Sequence, residues 1–485
     1  EARLDLRSLA KGDLGLAGER DRFEDELKSF QVESDDGEVS AGARAALFVK
    51  GTVADDYQLT FRLESEETEG SRLFRDIRPD ELYPVYGDGS VREFDAQSRG
   101  RIFGRVQRGA SYLTLGDFNT GLGSYGQTGS RALGQYSRTL NGVLEHYENE
   151  RVAINAFASH DRFSQVVDEL PAEGISGPYQ LKRTDGLINS EKVELITRDR
   201  DQHALILRTQ SMERFTDYTI EPFTGRLIFK QPISGLDADL NPVSIRVTYE
   251  AEGGGDRFWV YGADGQVRPW QNVEIGGGLV RDENPRSEFD LVSLNATVDM
   301  GRGTYAFGEF ARTDGSAYGN GEARRFGLRH TSGRLTANML FLDTDSTFNN
   351  PSASFGTGRR ELSFRATAHL DEKTRVLAEA LRTEDRRTGG SRNGGRIGIE
   401  RAINDWLDGQ VAYRHADESE TPATDLSAEP TSDVNSVAAQ LRATPPQMPK
   451  LAISAEFEND VAESDQRRAW LGADYDMWDG GRAYA

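Results

Sequence analysis

The sequence predicts an antiparallel transmembrane β-barrel of about 20 strands that carries a small inserted β-domain. Two observations lead to this fold class. Segments of about ten residues alternate apolar with polar side chains, and the loops that join them are alternately short and long. A helical period fits none of these segments. A soluble β-sandwich would show the same alternation, so the loop lengths favour the membrane barrel.

Residues 360–383 show the strand pattern clearly. One face of the first strand is apolar, with Leu362, Phe364, Ala366, Ala368 and Leu370. The other face is largely polar, with Glu361, Ser363, Arg365, Thr367 and His369. A three-residue turn at 371–373 leads into a second apolar alternation. The result is a predicted hairpin with one apolar face.

The connections from residue 257 onward alternate in length. The short ones are predicted at 269–271, 301–303, 332–333, 371–373, 404–405, 445–449 and 479–481. The long ones are predicted at 283–288, 315–321, 346–358, 384–395, 418–433 and 459–466. Short periplasmic turns and long outer loops are typical of outer-membrane barrels.

Composition agrees with this fold class and excludes others. Hydrophobic residues make up 36% of the 485 residues, and no apolar run reaches the roughly 18 residues of a transmembrane helix. The formal net charge of −22 argues against nucleic acid as a partner. It favours either a cation-attracting lumen or merely well-solvated acidic loops. Zero cysteines exclude disulfides and thiolate chemistry.

The chain divides into four predicted parts. Residues 1–40 form a linker or plug-like segment with a possible short helix at 21–30, and residues 41–161 form the first barrel hairpins, interrupted by a glycine-rich, flexible loop at 119–134. Residues 162–256 break the rhythm and contain about five short strands, which we interpret as an inserted β-domain on the outer, extracellular face. Residues 257–485 form the remaining strands. Because a new strand starts at Arg482 and stops, we expect a truncated end and a longer parent chain.

Candidate metal sites are restricted to acidic loops. Asp237 with Asp239, and Asp343 with Asp345, could supply oxygen ligands to loop calcium, although acidic turns are common without it. No histidine pair has ligand spacing on one element, and no nucleophile triad can be selected. We therefore predict a non-enzymatic protein without a cofactor.

Alternation assigns a set of charged residues to the lumen. They are Arg62, Glu64, Arg365, Arg414, Arg442, Glu456, Glu458, Asp474 and Asp476. Two roles are open for them, ion selectivity in a water-filled lumen and ion pairing across strands. A set of aromatic residues falls on the lipid-facing side: Tyr57, Phe61, Phe341, Phe364, Tyr413, Phe457 and Tyr475.

Four stretches resemble a known class of proteins. They are LYPVYGDGS at 82–90, LGDFNTGL at 115–122, YSRTLNG at 136–142 and DYTIEPFTGRL at 217–227. These are similar to the barrel portion of large Gram-negative multidomain surface proteins that are loosely described as TonB-dependent-receptor-like. The resemblance covers roughly residues 35–485. It implies an integral outer-membrane location, with membrane lipid and other envelope or surface proteins as partners.

The sequence predicts a pore or scaffold that anchors and displays surface domains and docks envelope partners. One alternative is an outer-membrane transporter gated by a plug or a partner. Another is a secreted adhesive β-protein, whose apolar faces would pack on one another.

Overall fold

The computed structural model describes most of the chain, in the following ranges. They are residues 2–12, 31–35, 39–53, 56–64, 100–120, 131–187, 190–199, 206–214, 216–221, 224–237, 241–253, 255–315, 319–353, 358–386, 389–419, 433–461, 467–478 and 481–484. The predicted helix at 21–30 lies outside these ranges. Within them, no helix is long and apolar enough to cross a membrane.

All regular elements of the described ranges are β-strands. The strands before the insertion are β1 (Ala2–Gly12), β2 (Gln31–Asp35), β3 (Val39–Val53), β4 (Tyr57–Glu64), β5 (Ile102–Arg108), β6 (Ser111–Asn119), β7 (Thr139–Glu148) and β8 (Val152–Asp161). The insertion contains β9 (Phe163–Pro171), β10 (Tyr179–Gln180), β11 (Lys192–Arg198), β12 (Ile206–Met212), β13 (Tyr218–Glu221), β14 (Arg226–Phe229) and β15 (Val243–Glu252). The later strands are β16 (Phe258–Trp270), β17 (Val273–Asp282), β18 (Phe289–Gly301), β19 (Thr304–Gly315), β20 (Gly321–Thr331), β21 (Leu335–Thr344), β22 (Arg359–His369), β23 (Thr374–Asp385), β24 (Ser391–Asn404), β25 (Leu407–Ser419), β26 (Asp433–Ala443), β27 (Leu451–Asp460), β28 (Arg467–Trp478) and β29 (Gly481–Tyr484).

Twenty-two of the described strands form one antiparallel sheet, so the predicted fold class, a transmembrane β-barrel of about 20 strands, is confirmed. Each strand pairs with its sequence neighbour, except that β8 pairs with β16 across the insertion and β3 pairs with both β1 and β2. Residues 2–12 and 31–35 thus join the sheet, whereas the sequence pattern placed residues 1–40 outside it. From β3 onward, connections of two to seven residues lie at one edge of the sheet, the short-turn edge, and connections of five or more residues lie at the other, the long-loop edge.

The exposed face of the sheet is apolar and the lumen face is largely polar, which is the reverse of a soluble protein. On β18 the outward Val292 and Leu294 are 53% and 62% exposed. The alternate residues Ser293, Asn295 and Thr297 face the lumen and are buried. Aromatic residues predicted for the lipid side follow the same pattern. The exposed ones are Tyr57, Phe364, Tyr413, Phe457 and Tyr475. Apolar side chains that remain uncovered in this number need lipid as their solvent.

The insertion forms two small sheets. One has the strand order β12-β11-β15-β9, and the other has the order β10-β14-β13. They enclose an apolar core that includes Val193, Leu227, Phe229, Ile245 and Val247. The pairing of β9 with β15 continues the pairing of β8 with β16 beyond Asp161 and Phe258. The insertion therefore extends from the long-loop edge of the barrel wall.

Candidate functional site

A short segment before β7 lies against the lumen face of the barrel wall. We call residues 131–138 the lumen segment. Residues 120 and 138 pair through backbone and side-chain hydrogen bonds, which fixes the point where the chain returns to the wall. From there the lumen segment contacts β16, β18 and β19, which follow it by more than 100 residues.

Glu309 on β19 holds the lumen segment. The three consecutive amide groups of residues 132–134 each donate a hydrogen bond of 2.9 Å to its carboxylate. The side chain of Glu309 is fully buried, with the guanidinium of Arg325 at 3.7 Å. Hydrogen bonds to a charged acceptor are stronger than neutral ones, and three of them converge here. The chain of the lumen segment is thereby fixed to the wall.

Close packing fixes the same segment. A Cβ atom on Gly134 would lie 2.2 Å from the side chain of Ser293, so residue 134 must be glycine for the segment to approach β18. Leu133 is completely buried in an apolar cluster inside the lumen, together with Leu144, Phe157 and Leu291. The sequence predicted a flexible glycine-rich loop at 119–134. Residues 121–130 lie outside the described ranges, but residues 131–134 are packed, because glycine here serves close approach.

Two further contacts complete the attachment. The side-chain amide of Asn350, in the loop between β21 and β22, donates to the carbonyl groups of Leu133 at 2.7 Å and Gln135 at 2.8 Å. The guanidinium of Arg131 forms an ion pair with Asp264 on the lumen face of β16. Three amides and two carbonyl groups of the lumen segment are thus bonded by side chains of the wall and of one long loop.

Arg138 joins the lumen segment to both the barrel and the insertion. Its guanidinium contacts Glu250 of β15 at 2.7 Å and Asp282 of β17 at 2.5 Å, and it donates to the carbonyl of Phe163 at 2.8 Å. Its side chain is 3% exposed. Burial opposes the charge, but the carboxylates, Glu250 foremost, raise the pKa of Arg138 well above its usual value. Arg138 therefore stays charged at every relevant pH.

The insertion makes additional contacts at the long-loop edge. Gln165 donates to the carbonyl of Ser137 at 2.6 Å. Arg246 of β15 donates to the carbonyl groups of Pro351 and Ala353 at 2.9 and 3.2 Å. One region thus connects the insertion, the lumen segment and the loop between β21 and β22.

A separate cavity of about 470 Å³ lies along the lumen face of β21 to β25. Its lining includes Arg365, Arg396 and Arg414 from the wall, and Asp199 and Asn241 from the insertion. The insertion therefore reaches over this part of the lumen. Pockets of this size accommodate small molecules in other proteins.

Four of the charged residues predicted for the lumen lie in ion pairs. Arg365 pairs with Glu379 at 2.9 Å, and Arg414 pairs with Glu458 at 3.1 Å. Arg468 pairs with both Glu456 at 3.5 Å and Glu458 at 2.6 Å. These contacts correspond to the ion-pairing alternative.

The other predicted lumen residues lie on β4, β26 and β28. Arg62 is opposite the buried Phe103, and Arg442 is opposite Asp408. Asp474 is opposite Ala452 on β27. The side chains of Glu64 and Asp476 lie outside the described part of the chain.

The candidate calcium ligands have other partners. Asp237 accepts hydrogen bonds from the backbone and side chain of Asn241, while Asp239 lies outside the described ranges. Asp343 is surrounded by Arg324, Arg360 and Arg386 at 2.8 to 3.5 Å. Among the described residues, no group of three acidic or histidine side chains could hold a metal.

The ion pairs near the long-loop edge extend to Asp345. Its carboxylate contacts Arg386 at 2.9 Å and accepts from the backbone amide of Glu322 at 3.1 Å. Guanidinium groups therefore lie beside both Asp343 and Asp345, where a loop cation would otherwise bind.

Sequence reasoning missed the residues that carry this site. Glu309, Arg138 and Asn350 were not singled out, because each acts on a partner more than 100 residues away. One weak signal was present. Glu309 stands at a lumen position of a strand whose neighbouring inward positions, Phe307 and Ala311, are apolar.

This chain has little sequence or structural similarity to known proteins. No protein-family model and no curated protein matches the chain. Among solved structures, OpdQ of Pseudomonas aeruginosa aligns over 87% of this chain and 93% of its own, with 9% identity and a TM-score of 0.31. The translocation pore of the P pilus usher PapC aligns over 90% and 89%, with 9% identity and a TM-score of 0.33. A variant of the P. aeruginosa ferric enterobactin receptor PfeA aligns over 96% and 75%, with 10% identity and a TM-score of 0.32. Similarity at this level carries no functional argument, so the fold assignment rests on the strand pairings above.

Proposed function

We propose that this protein is an integral outer-membrane barrel of a Gram-negative bacterium that serves as a scaffold with an obstructed lumen. It anchors the inserted β-domain on the outer side, displays further surface domains and docks envelope partners. The support for a membrane location is the outward apolar face, since closed barrels leave no strand edge unpaired in lipid.

The observation that carries the scaffold role is the attachment of the lumen segment by Glu309. A loop that merely hung into an open pore would be solvated, with its amide groups bonded to water. Here three amides bind one buried carboxylate and Leu133 is fully buried among wall residues. The chain itself therefore covers part of the lumen face of β16 to β20.

Conductance in planar lipid bilayers tests this proposal. We expect the folded protein to give a nearly flat current. A variant in which residues 131–136 are replaced by a glycine–serine stretch of equal length should give discrete steps. Heat-modifiable migration in unboiled gels checks that both proteins are folded barrels. Large open steps from the unaltered protein would contradict the obstructed lumen.

A gated transporter is the second candidate, and Arg138 favours it. This residue connects the lumen segment to Glu250 in the insertion, so displacement of the insertion would pull on the segment. Glu250→Gln should then open the lumen and raise the conductance. Glu252→Gln is the matched control, because Glu252 lies on the same strand but pairs with the more exposed Arg162. Equal conductance of the two variants would argue against coupling.

The secreted adhesive protein is the alternative with the least support. It requires a second protein layer over the apolar faces. The described outward residues remain exposed instead, including Leu294 at 62% and Leu471 at 73%. Solubility without detergent would revive this alternative.

A further inference from the structure

We propose that the cavity beside β22 to β25 binds a small anion that carries a carboxylate or a phosphate group, with Arg396 as its main contact. The cavity lies in the part of the lumen that the lumen segment does not cover. Anion binding there requires no conductance through the barrel.

The pairing register places four charged residues side by side. Arg365 on β22 is opposite Glu379 on β23, Glu379 is opposite Arg396 on β24, and Arg396 is opposite Arg414 on β25. All four line the cavity of about 470 Å³. Three positive charges thus share one level with a single negative charge. Like charges on directly opposed residues destabilise a sheet, so the pair Arg396 and Arg414 carries a structural cost.

Two of the three arginines have a carboxylate as acceptor, and the third has only a neutral amide. Arg365 has Glu379 at 2.9 Å, and Arg414 has Glu458 at 3.1 Å. Arg396 instead donates to the neutral amide of Gln410 at 3.1 Å. Within the described part of the chain, no carboxylate pairs with it. A half-buried guanidinium bound to a neutral acceptor gains from an anion that it can bind through two parallel hydrogen bonds.

The residues beside Arg396 leave space for such an anion. The lumen-facing positions of this part of β24 alternate between arginine and glycine, as Arg392, Gly394, Arg396 and Gly398. Gly394 has no side chain and lines the cavity together with both arginines. An anion at this level would therefore lie close to the backbone and between two guanidinium groups. The cavity lining as a whole has five arginines and four carboxylates, a formal net charge of +1, whereas the chain carries −22.

Equilibrium dialysis of the folded full chain in neutral detergent at low ionic strength tests the proposal. The probes are radiolabelled inorganic phosphate and radiolabelled acetate. We expect saturable binding of at least one anion, and competition by the other. Arg396→Gln should weaken binding on the order of tenfold or more, because the charged hydrogen bonds to the anion are lost.

Two further variants separate a binding role from a structural one. Arg401→Gln changes an exposed arginine on the opposite face of the same strand and should leave binding unchanged. Glu379→Gln removes the negative charge opposite Arg396 and should tighten binding. Heat-modifiable migration in unboiled gels shows whether each variant has folded as a barrel, and it is measured before the dialysis. Undiminished binding by Arg396→Gln, or no saturable binding by the unaltered chain, would overturn the proposal.

Discussion

Removal of the Glu309 carboxylate should release the lumen segment from the barrel wall. In Glu309→Ala, the amides of residues 132–134 lose the acceptor that each of them binds at 2.9 Å. The neighbouring Arg325 loses its carboxylate as well. The perturbation is therefore local, and it acts on one short segment.

The magnitude follows from the number and type of bonds. A hydrogen bond to a charged acceptor contributes about 1.5–3 kcal/mol. Three bonds to one carboxylate are not additive, so we expect a loss of roughly 3–5 kcal/mol in the free energy that holds the segment. Since 1.4 kcal/mol corresponds to a factor of ten, amide exchange in the segment should accelerate on the order of 100-fold to several thousand-fold.

Hydrogen–deuterium exchange followed by mass spectrometry measures this effect. The peptide that covers residues 131–138 should be protected in the unaltered protein and exchange rapidly in Glu309→Ala. Glu274→Gln is the control, because Glu274 is also a buried lumen carboxylate but pairs with Arg268 near the short-turn edge. Unchanged exchange in Glu309→Ala would show that Glu309 does not hold the lumen segment, and it would contradict an obstructed lumen.

Three other predictions test packing, lipid exposure and pH dependence. Gly134→Ala should destabilise the lumen segment by about 1–3 kcal/mol in the same exchange assay, and Ser293→Gly in the same chain should restore protection by removing the clashing side chain. Leu294→Arg, in the middle of β18, should cost about 2–4 kcal/mol in barrel unfolding by urea, whereas Met300→Arg, near the turn, should cost about 0–1 kcal/mol; equal losses would contradict a lipid-facing wall. Burial raises the pKa of Tyr249, so the tyrosine hydroxyl holds its proton more tightly in the folded insertion than in the unfolded chain. The insertion therefore loses stability as the pH rises above about 10. Tyr249→Phe should remove part of this alkaline loss in circular dichroism, and an unchanged alkaline transition would exclude the tyrosine as its cause.

The strands could be predicted because their pattern is local. In residues 360–383, Leu362 and Phe364 alternate with Glu361 and Arg365, and the alternation itself defines which face meets lipid. The same alternation gave the positions of most short and long connections, but the long loop predicted at 384–395 spans only residues 386–390, because β24 begins at Ser391. These features need no information about distant residues, so a single sequence is sufficient for them.

The contents of the lumen could not be predicted, because long-range contacts determine them. Ala132 and Glu309 are 177 residues apart, and nothing in either neighbourhood indicates the other. The usual rule for barrels, apolar outside and polar inside, also fails near the long-loop edge. Leu144 and Phe157 face inward there, since the lumen segment provides an apolar surface for them.

The two sections of the inner wall differ in a way that bears on function. Near β16 to β20, the wall is covered by the lumen segment, and Glu309 accepts hydrogen bonds from three amides of that segment. Near β22 to β25, Arg365 and its partner Glu379 are 41% and 35% exposed and line an open cavity. A charged pair that remains this exposed inside a barrel is solvated, since burial without further partners would be costly. The lumen segment therefore covers part of the wall near β16 to β20, whereas the arginine-rich section near β22 to β25 stays open to water.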